Sequence, residues 1–477
     1  MTINDLHLLL PFIIVSAASL TVMLAIAFHL SHCLTLVLTL SGLFAALASL
    51  WPLIAAAPKQ VTALFIIDGF ALFFMALIFV AGIGVALFSY GYLEGREEDP
   101  EEYYVLLILA VLGSAILVSS RHFASFFLGL ETLSVSLYAL IAYRPRDRHC
   151  VEAGVKYLVL AASSDAFMLF GIALIYAELG SLEFSRMAPL QFSGKFVTLS
   201  AMGLGMVLTG FGFKLAVAPF HFWTPDVYQG APSPITAFVA TVSKGAMFAV
   251  MFRYLAMGQL QTYFPMMLVF HLISVASMFV GNLLALFQNN VKRILAYSSI
   301  AHMGYLLVAF LASGPMAATA VAFYFSAYFI TTLGAFGVIT VLSGKERDAD
   351  SLEDYHGLFW QRPWLAGTFT AMLLSLAGIP LTAGFIGKFF VMTAGVGSAL
   401  WVLVTSLVLN SVIGLFYYVR IVVAMYSRPD VEEAAVAARP ARSLAGGVVL
   451  AVLLVLLLWL GVYPNPFIEV IQAAVSG

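Results

Sequence analysis

The chain has 477 residues, 62% of them hydrophobic and only 10% charged, with a formal net charge of −2. A soluble domain carries about 25% charged residues, so this composition excludes one and describes a bundle of spanning helices. No basic block points to a nucleic-acid partner.

The first residues, MTINDLHLLLPF, contain no Lys or Arg and include Asp5. That argues against a cleaved signal peptide and for a first segment kept as a mature helix. Fourteen apolar segments of spanning length are predicted: 6–30, 34–56, 69–93, 103–119, 122–142, 152–177, 197–220, 234–257, 266–287, 293–313, 317–342, 363–395, 399–427 and 444–463. The expected fold class is all-α, a polytopic membrane protein with about 14 transmembrane helices. The longest polar insert is 343–362, and Cys33 and Cys150 fall in loops, where reduced free thiols are expected.

Loop charges orient the chain. The odd-numbered loops hold Arg96, Arg144, Arg146, Arg148, Lys292, Arg293, Lys345, Arg347, Arg362, Arg428, Arg439 and Arg442. The even-numbered loops hold Lys59, Arg121, Arg186 and Lys195, with Arg253 near a helix end. The positive-inside rule puts the odd loops in the cytoplasm and, with an even helix count, both termini outside.

The fifth segment carries Glu131 about ten residues in, with Ser134 and Tyr138 at i+3 and i+7 on the same face. An intramembrane acid is a functional candidate by default; the alternative is a structural partner for a lysine. At the start of the sixth segment Glu152 and Lys156 form an i,i+4 pair, either solvated or functional. Asp165 follows nine residues after Lys156, half a turn round the helix. It contacts another helix or marks a second polar path.

The seventh segment runs through GFGFKLAVAPFHFWTPDVYQGAPSP, carrying Lys214 and then breaking around Pro219, Pro225, Pro232 and Pro234. Helix resumes and carries Lys244 about eleven residues in. A charge at bilayer depth costs at least a few kcal/mol, and a Pro-rich break frees backbone groups that lipid cannot satisfy. Both require protein or a water-filled cavity around them. Burial disfavours a lysine's charge and a nearby carboxylate favours it. Two unit charges 4 Å apart interact by about 4 kcal/mol at an effective dielectric of 20, about a thousandfold in proton affinity. A small change in a Glu131–Lys214 distance would then decide whether Lys214 holds its proton. Snorkelling to the interface is the alternative for either lysine. His221 and Asp226 flank the break, satisfying loop backbone or helping a proton enter.

In the tenth segment His302 has Ser298 at i−4 and Tyr305 at i+3, a face able to relay protons or simply to pack. The twelfth segment is broken at Gly378–Ile379–Pro380 and carries Lys388 in GFIGKFF. It comes five segments after the seventh, so the two run in opposite directions, as in inverted-repeat transporters. The match is imperfect, because the proline follows the lysine in one and precedes it in the other. Asp68 begins a helix and reads as its N-cap. The sequence has no GxxxxGK[ST], no CxxC and no metal-spaced His/Cys set, so redox or ATP chemistry within this chain is not expected.

Three motifs, GFGFKLAVAPFHFWTPDVYQGAPSP, VKRILAYSSIAHMGYLL and SLAGIPLTAGFIGKF, occur in order along the chain. Together they resemble the antiporter-like membrane subunits of respiratory complex I, the proton-translocating NADH:quinone oxidoreductase. The PDVYQGAP form, the lysine in GFIGKF and a sequence that ends shortly after the fourteenth segment are similar to the N-type subunits. L-type subunits add a long lateral helix, and M-type subunits usually carry a glutamate at the twelfth-helix position.

The resemblance implies two inverted five-helix repeats with discontinuous helices 7 and 12. The divisions it implies are 1–102 for helices 1–3, 103–257 and 258–427 for the repeats, and 428–477 for helix 14. It places the family's proton-carrying residues on Glu131, Lys214, Lys244 and Lys388, with Lys156 a further one. Glu131 and Lys214 would form a switchable pair. Asp165 is not part of the family pattern. The implied function is proton translocation driven by electron transfer in other subunits, which hold NADH, FMN, iron–sulfur clusters and quinone; no cofactor is expected in this chain. The implied setting is a bacterial inner membrane with both termini periplasmic. Partners would be lipid, protons, water and other complex I membrane subunits, including neighbouring antiporter-like ones. A subunit of a multi-subunit Na+/H+ antiporter and a structural membrane spacer are the alternatives.

Overall fold

A computed structural model describes residues 3–55, 57–97, 99–187, 198–258, 264–312, 315–428 and 444–475. Lys195, Arg439 and Arg442, counted among the loop charges, lie outside the described residues. Thirteen described helices are long and apolar enough to cross a bilayer. They are α1 (Leu10–Ala27), α2 (His32–Ile54), α3 (Gly69–Leu93), α4 (Glu102–Ser119), α5 (Phe123–Ile141), α6 (Arg148–Leu179), α7 (Thr198–Leu215), α8 (Ser233–Met257), α9 (Phe264–Leu286), α10 (Val291–Leu311), α11 (Met316–Leu342), α13 (Trp401–Tyr426) and α14 (Leu444–Val462). Between α11 and α13 the span α12 comes in two pieces, Pro363–Ala377 and Ala383–Gly397.

All fourteen expected segments are therefore helical, and their ends agree within a few residues. Three small elements were not expected. A hairpin of β1 (Lys59–Val61) and β2 (Phe65–Ile67) links α2 to α3. A short helix, Trp223–Gly230, lies inside the break after α7. A last helix, α15 (Asn465–Val475), packs on α3 and α11. The hairpin strands and the break helix are too short to give a clear periodic signal, and α15, at 11 residues, is too short to span a bilayer. Cys33 and Cys150 sit in the first turns of α2 and α6 rather than in loops; both are free thiols.

The core is a set of inner helices. α10 is buried along its whole spanning stretch and α8 along 94% of it, against 33% for α1 and α9. Enclosure follows the charges: α10 and α8 carry Lys292, His302 and Lys244, which lipid cannot solvate, whereas α1 and α9 carry no Asp, Glu, Lys or Arg. α9 can lie close along α10 because Gly281 has no side chain: a Cβ there would meet the Tyr297 carbonyl at 2.7 Å.

The two interruptions are held by side chains. After α7, Ala216 adopts φ +58, a left-handed backbone that costs a non-glycine residue roughly 1–2 kcal/mol. Trp223 Nε1 donates to the Phe213 carbonyl and the Ala218 amide donates to Ser277 Oγ, both at 2.9 Å. In α12 the chain turns at Gly378, φ +87, where lack of a Cβ makes the conformation cheap. Such partners are what broken backbone at bilayer depth needs. Asp68 caps α3, accepting from the Ala71 amide at 2.8 Å as expected, and also takes a two-pronged contact from Arg253 at 2.6 and 2.8 Å.

Candidate functional site

Lys214, Lys244 and Lys388 are 5%, 0% and 5% exposed. Lys214 and Lys244 lie where their helices depart from regular α geometry, Lys388 reaches back to the break in α12, and each has a protein acceptor. That excludes snorkelling for all three.

Lys214 ends α7. Its ammonium donates to Ser134 Oγ at 2.8 Å and to Asp165 Oδ2 at 2.9 Å. Tyr138 OH lies 3.5 Å from the same carboxylate oxygen. The Ser134–Tyr138 stripe of α5 thus faces Lys214, as its spacing predicts. The expected Glu131–Lys214 ion pair is not what forms. Among the described residues Glu131 makes no ion pair within 4 Å; the carboxylate bound to Lys214 is Asp165. Glu131 is half-buried, one turn along α5 from Ser134 and open toward the outside of the bundle.

The rotation of α6 decides which carboxylate meets Lys214. Lys156 is on its exposed face, so Asp165, half a turn round, points inward to where α7 packs. Asp165 Oδ1 is buried without a protein partner among the described residues.

Lys244 follows a π-helical turn, Val239–Ser243, in α8. Such turns rotate the following side chains and recur at functional sites. Its ammonium donates to Ser299 Oγ of α10 at 2.7 Å and lies 5.5 Å from the centre of the Tyr228 ring. Ser299 Oγ is in turn 2.6 Å from Tyr328 OH.

One turn along α10, His302 Nδ1 is 2.7 Å from Tyr324 OH and Nε2 is 3.4 Å from Tyr418 OH. Tyr418 OH also makes a short bond with Ser298 Oγ. A cavity with room for about one water lies among His302, Tyr324, Tyr328, Thr331, Ser375 and Gly384, against the α12 break. Beyond it Lys388 donates to the Ala377 carbonyl at 2.9 Å, taking up an acceptor freed where the first piece of α12 ends. It lies 5.1 Å from the centre of the Tyr305 ring. Tyr305 OH accepts from Asn282 at 2.9 Å, and Asn282 accepts from Tyr417 OH at 2.8 Å.

The remaining candidates form a separate group. Lys156 pairs with Glu152 at 2.7 Å, as its spacing predicts, and with Asp226 at 3.0 Å. Asp226 also binds Arg293 at 2.7 Å. It therefore ties the break helix to α6 and α10 rather than serving loop backbone. All four side chains are partly exposed. His221 is buried against Phe222 with Nδ1 unpartnered among the described residues.

Lys244 and Lys388 thus both lie against α10, which carries His302, and Lys214 with Asp165 stands at the other break. Amines, imidazole, phenols and carboxylates in this arrangement can hold, release and accept protons. Sequence reading passed over Ser299, Tyr324, Tyr328 and Tyr418. A signal existed for two of them: Tyr324 and Tyr328 are i,i+4 on α11, one face of one helix.

Residues 120–414 match the family described as NADH:quinone oxidoreductase/Mrp antiporter, TM. The chain belongs to that family. NADH-quinone oxidoreductase subunit N of Ectopseudomonas mendocina (strain ymp) is 46% identical, over 99% of this chain and 97% of the relative. Among solved structures, a chain of respiratory complex I from Thermus thermophilus with bound aureothin is 33% identical, with a TM-score of 0.82 over 97% of this chain and 99% of that one. A chain of the Mrp complex from Dietzia sp. DQ12-45-1b has a TM-score of 0.86, covering 100% of this chain and 97% of that one, at 20% identity. At that identity it bears on the fold alone. The family match runs from just before α5 into α13, a stretch that contains Glu131, Lys214, Lys244, His302 and Lys388.

Proposed function

We propose that this chain is a proton-translocating, non-redox membrane subunit of an NADH:quinone oxidoreductase, akin to subunit N. The observation that carries the reading is the three enclosed ammonium groups of Lys214, Lys244 and Lys388, each bonded to a protein acceptor. A structural spacer gains nothing from burying three lysines, each of which costs several kcal/mol to desolvate. The 46% identity to a subunit N favours this reading over a Na+/H+ antiporter subunit.

In this reading Asp165 holds the charged form of Lys214, and Glu131 biases that pair from the bundle edge. A proton released from Lys214 passes by water to Lys244. It continues through Ser299, Tyr328 and the His302 group to Lys388. Glu131 opens laterally, so a neighbouring membrane subunit covering that face can alter its charge and so the Lys214–Asp165 balance. NADH, flavin, iron–sulfur clusters and quinone belong to other subunits of the complex. The odd-numbered loops face the cytoplasm of a bacterial cell and both termini face outward. Helices α4–α8 and α9–α13 form two inverted repeats.

The test is Lys244→Met in the intact complex, measuring protons moved per quinone reduced. The expected result is loss of most proton translocation with the subunit still assembled. Wild-type stoichiometry would overturn the reading.

A further inference from the structure

Residues Ala231–Pro232–Ser233 join the break helix to α8, the helix that carries Lys244. One buried cluster holds this joint. Lys292 Nζ, in the first turn of α10, donates to the Ala231 carbonyl at 2.6 Å and to Asp348 Oδ2 at 3.0 Å. Ser233 Oγ, at the start of α8, donates to the same Asp348 oxygen at 2.5 Å. Tyr92 OH of α3 donates to Asp348 Oδ1 at 2.8 Å, and Arg96 reaches it at 3.3 Å. Lys292 is 1% exposed and Asp348 only 11%.

Asp348 comes from the loop joining α11 to α12, far from the joint in sequence. Its carboxylate is the counter-charge that makes enclosing two cations tolerable, since a buried charge without a partner is strongly destabilising. It also binds the first turns of α8 and α10 to each other. Those two helices both start at this face of the bundle and run inward from it. Ser299 is seven residues beyond Lys292 in α10, and Lys244 is eleven beyond Ser233 in α8. The deep Lys244–Ser299 contact at 2.7 Å is therefore built on helices whose outer ends share one carboxylate.

We propose that Asp348 and Lys292 are positioning residues: they lock the 231–233 joint and so set the axial and rotational placement of α8 that brings Lys244 to Ser299. This rests on the reading of Lys244 as a proton carrier. Neither residue touches the proton path. Loosening the lock lets α8 slide or turn against α10, lengthening the bond that stabilises the Lys244 ammonium. The titratable groups facing Lys244 are Tyr228 from the break helix, Tyr328 from α11 and His302 from α10.

The experiment uses the intact complex in native membranes, comparing Asp348→Asn, Asp348→Glu, Lys292→Met and Ser233→Ala with Lys244→Met. Proton translocation per quinone reduced is followed across pH. Asp348→Asn and Lys292→Met are expected to lower it about threefold at neutral pH. They should also move the pH of half-maximal pumping by about half a unit, the equivalent of one hydrogen bond. Asp348→Glu is expected to recover much of the activity, and Ser233→Ala to give a smaller shift of the same sign. A wild-type stoichiometry and pH profile in Asp348→Asn, alongside a dead Lys244→Met, would overturn the lock alone. Wild-type pumping in Lys244→Met would instead remove the reading beneath it. Should Asp348→Asn not assemble, Ser233→Ala decides, and an unshifted profile there overturns the proposal.

Discussion

Lys214 and Asp165, 49 positions apart, meet at 2.9 Å with side chains only 4% and 5% exposed. Each makes the other tolerable. Removing one partner of a buried pair costs about 3–5 kcal/mol, because the other is left enclosed and uncompensated. Asp165→Asn and Lys214→Met are each expected to destabilise the complex by that amount, and the double variant to recover most of it. All three should lose proton translocation. Thermal unfolding of the purified complex checks the first part, and wild-type unfolding midpoints in the single variants would show the pair to be energetically idle.

Glu131 makes a contrasting case. It is half-buried and has no ion pair within 4 Å among the described residues. Glu131→Gln should leave stability within about 0.5 kcal/mol of wild type. Proton translocation should nonetheless fall by about a hundredfold, the low end for losing a positioned acid–base group. Unchanged pumping in that variant would reduce Glu131 to a bystander of the Lys214–Asp165 pair.

The His302 ring is held more firmly on one side than the other. Tyr324 OH lies 2.7 Å from Nδ1, whereas Tyr418 OH lies 3.4 Å from Nε2. A net hydrogen bond contributes about 0.5–1.5 kcal/mol, so Tyr324→Phe should slow translocation roughly two- to tenfold. Tyr418→Phe should have the smaller effect. Initial rates of proton uptake in membrane vesicles rank the two, and the reverse order would count against His302 relaying through α11.

Asp348 gives a pH dependence with a definite sign. Burial disfavours its charged form, but Lys292, Arg96 and the Ser233 hydroxyl outweigh burial and hold the carboxyl well below the usual carboxylate range. A group whose native value is lowered adds stability that is complete above its unfolded value, about pH 4. That stability is lost as pH falls through the native value. The gap in unfolding midpoint between wild type and Asp348→Asn should be constant from pH 8 to about pH 5, then narrow on acidification. A gap that widens as pH falls would contradict the assignment.

Much of this organisation was legible in the chain. Apolar run length predicts all fourteen segments, because a bilayer demands about 20 apolar residues per span. Proline and glycine predict both interruptions, at Pro219 and at Gly378–Pro380. Depth along each segment marks Glu131, Lys214, Lys244 and Lys388, since a charge far from a helix end is costly wherever it lies. The nine-residue offset between Lys156 and Asp165 puts them on opposite faces, as found. Whether Glu131 or Asp165 pairs with Lys214 is not in that information. Both carboxylates lie at usable depth, and only the rotation of α6 against α7 separates them. The Asp348 cluster was equally out of reach, because a loop carboxylate in a polar insert looks like any solvated charge until the loop folds inward.

The sequence by itself determined how many helices cross the membrane, where two of them break and which charges are carried deep. Those are one-dimensional consequences of hydrocarbon thickness and backbone hydrogen bonding. The tertiary structure alone decided which buried groups meet: Lys214 with Asp165, Lys244 with Ser299, Lys388 with the Ala377 carbonyl and Asp348 with Lys292. The physical reason is that a contact of about 3 Å depends on helix rotation and offset. These are set by the packing of many apolar side chains together, and no local pattern encodes them.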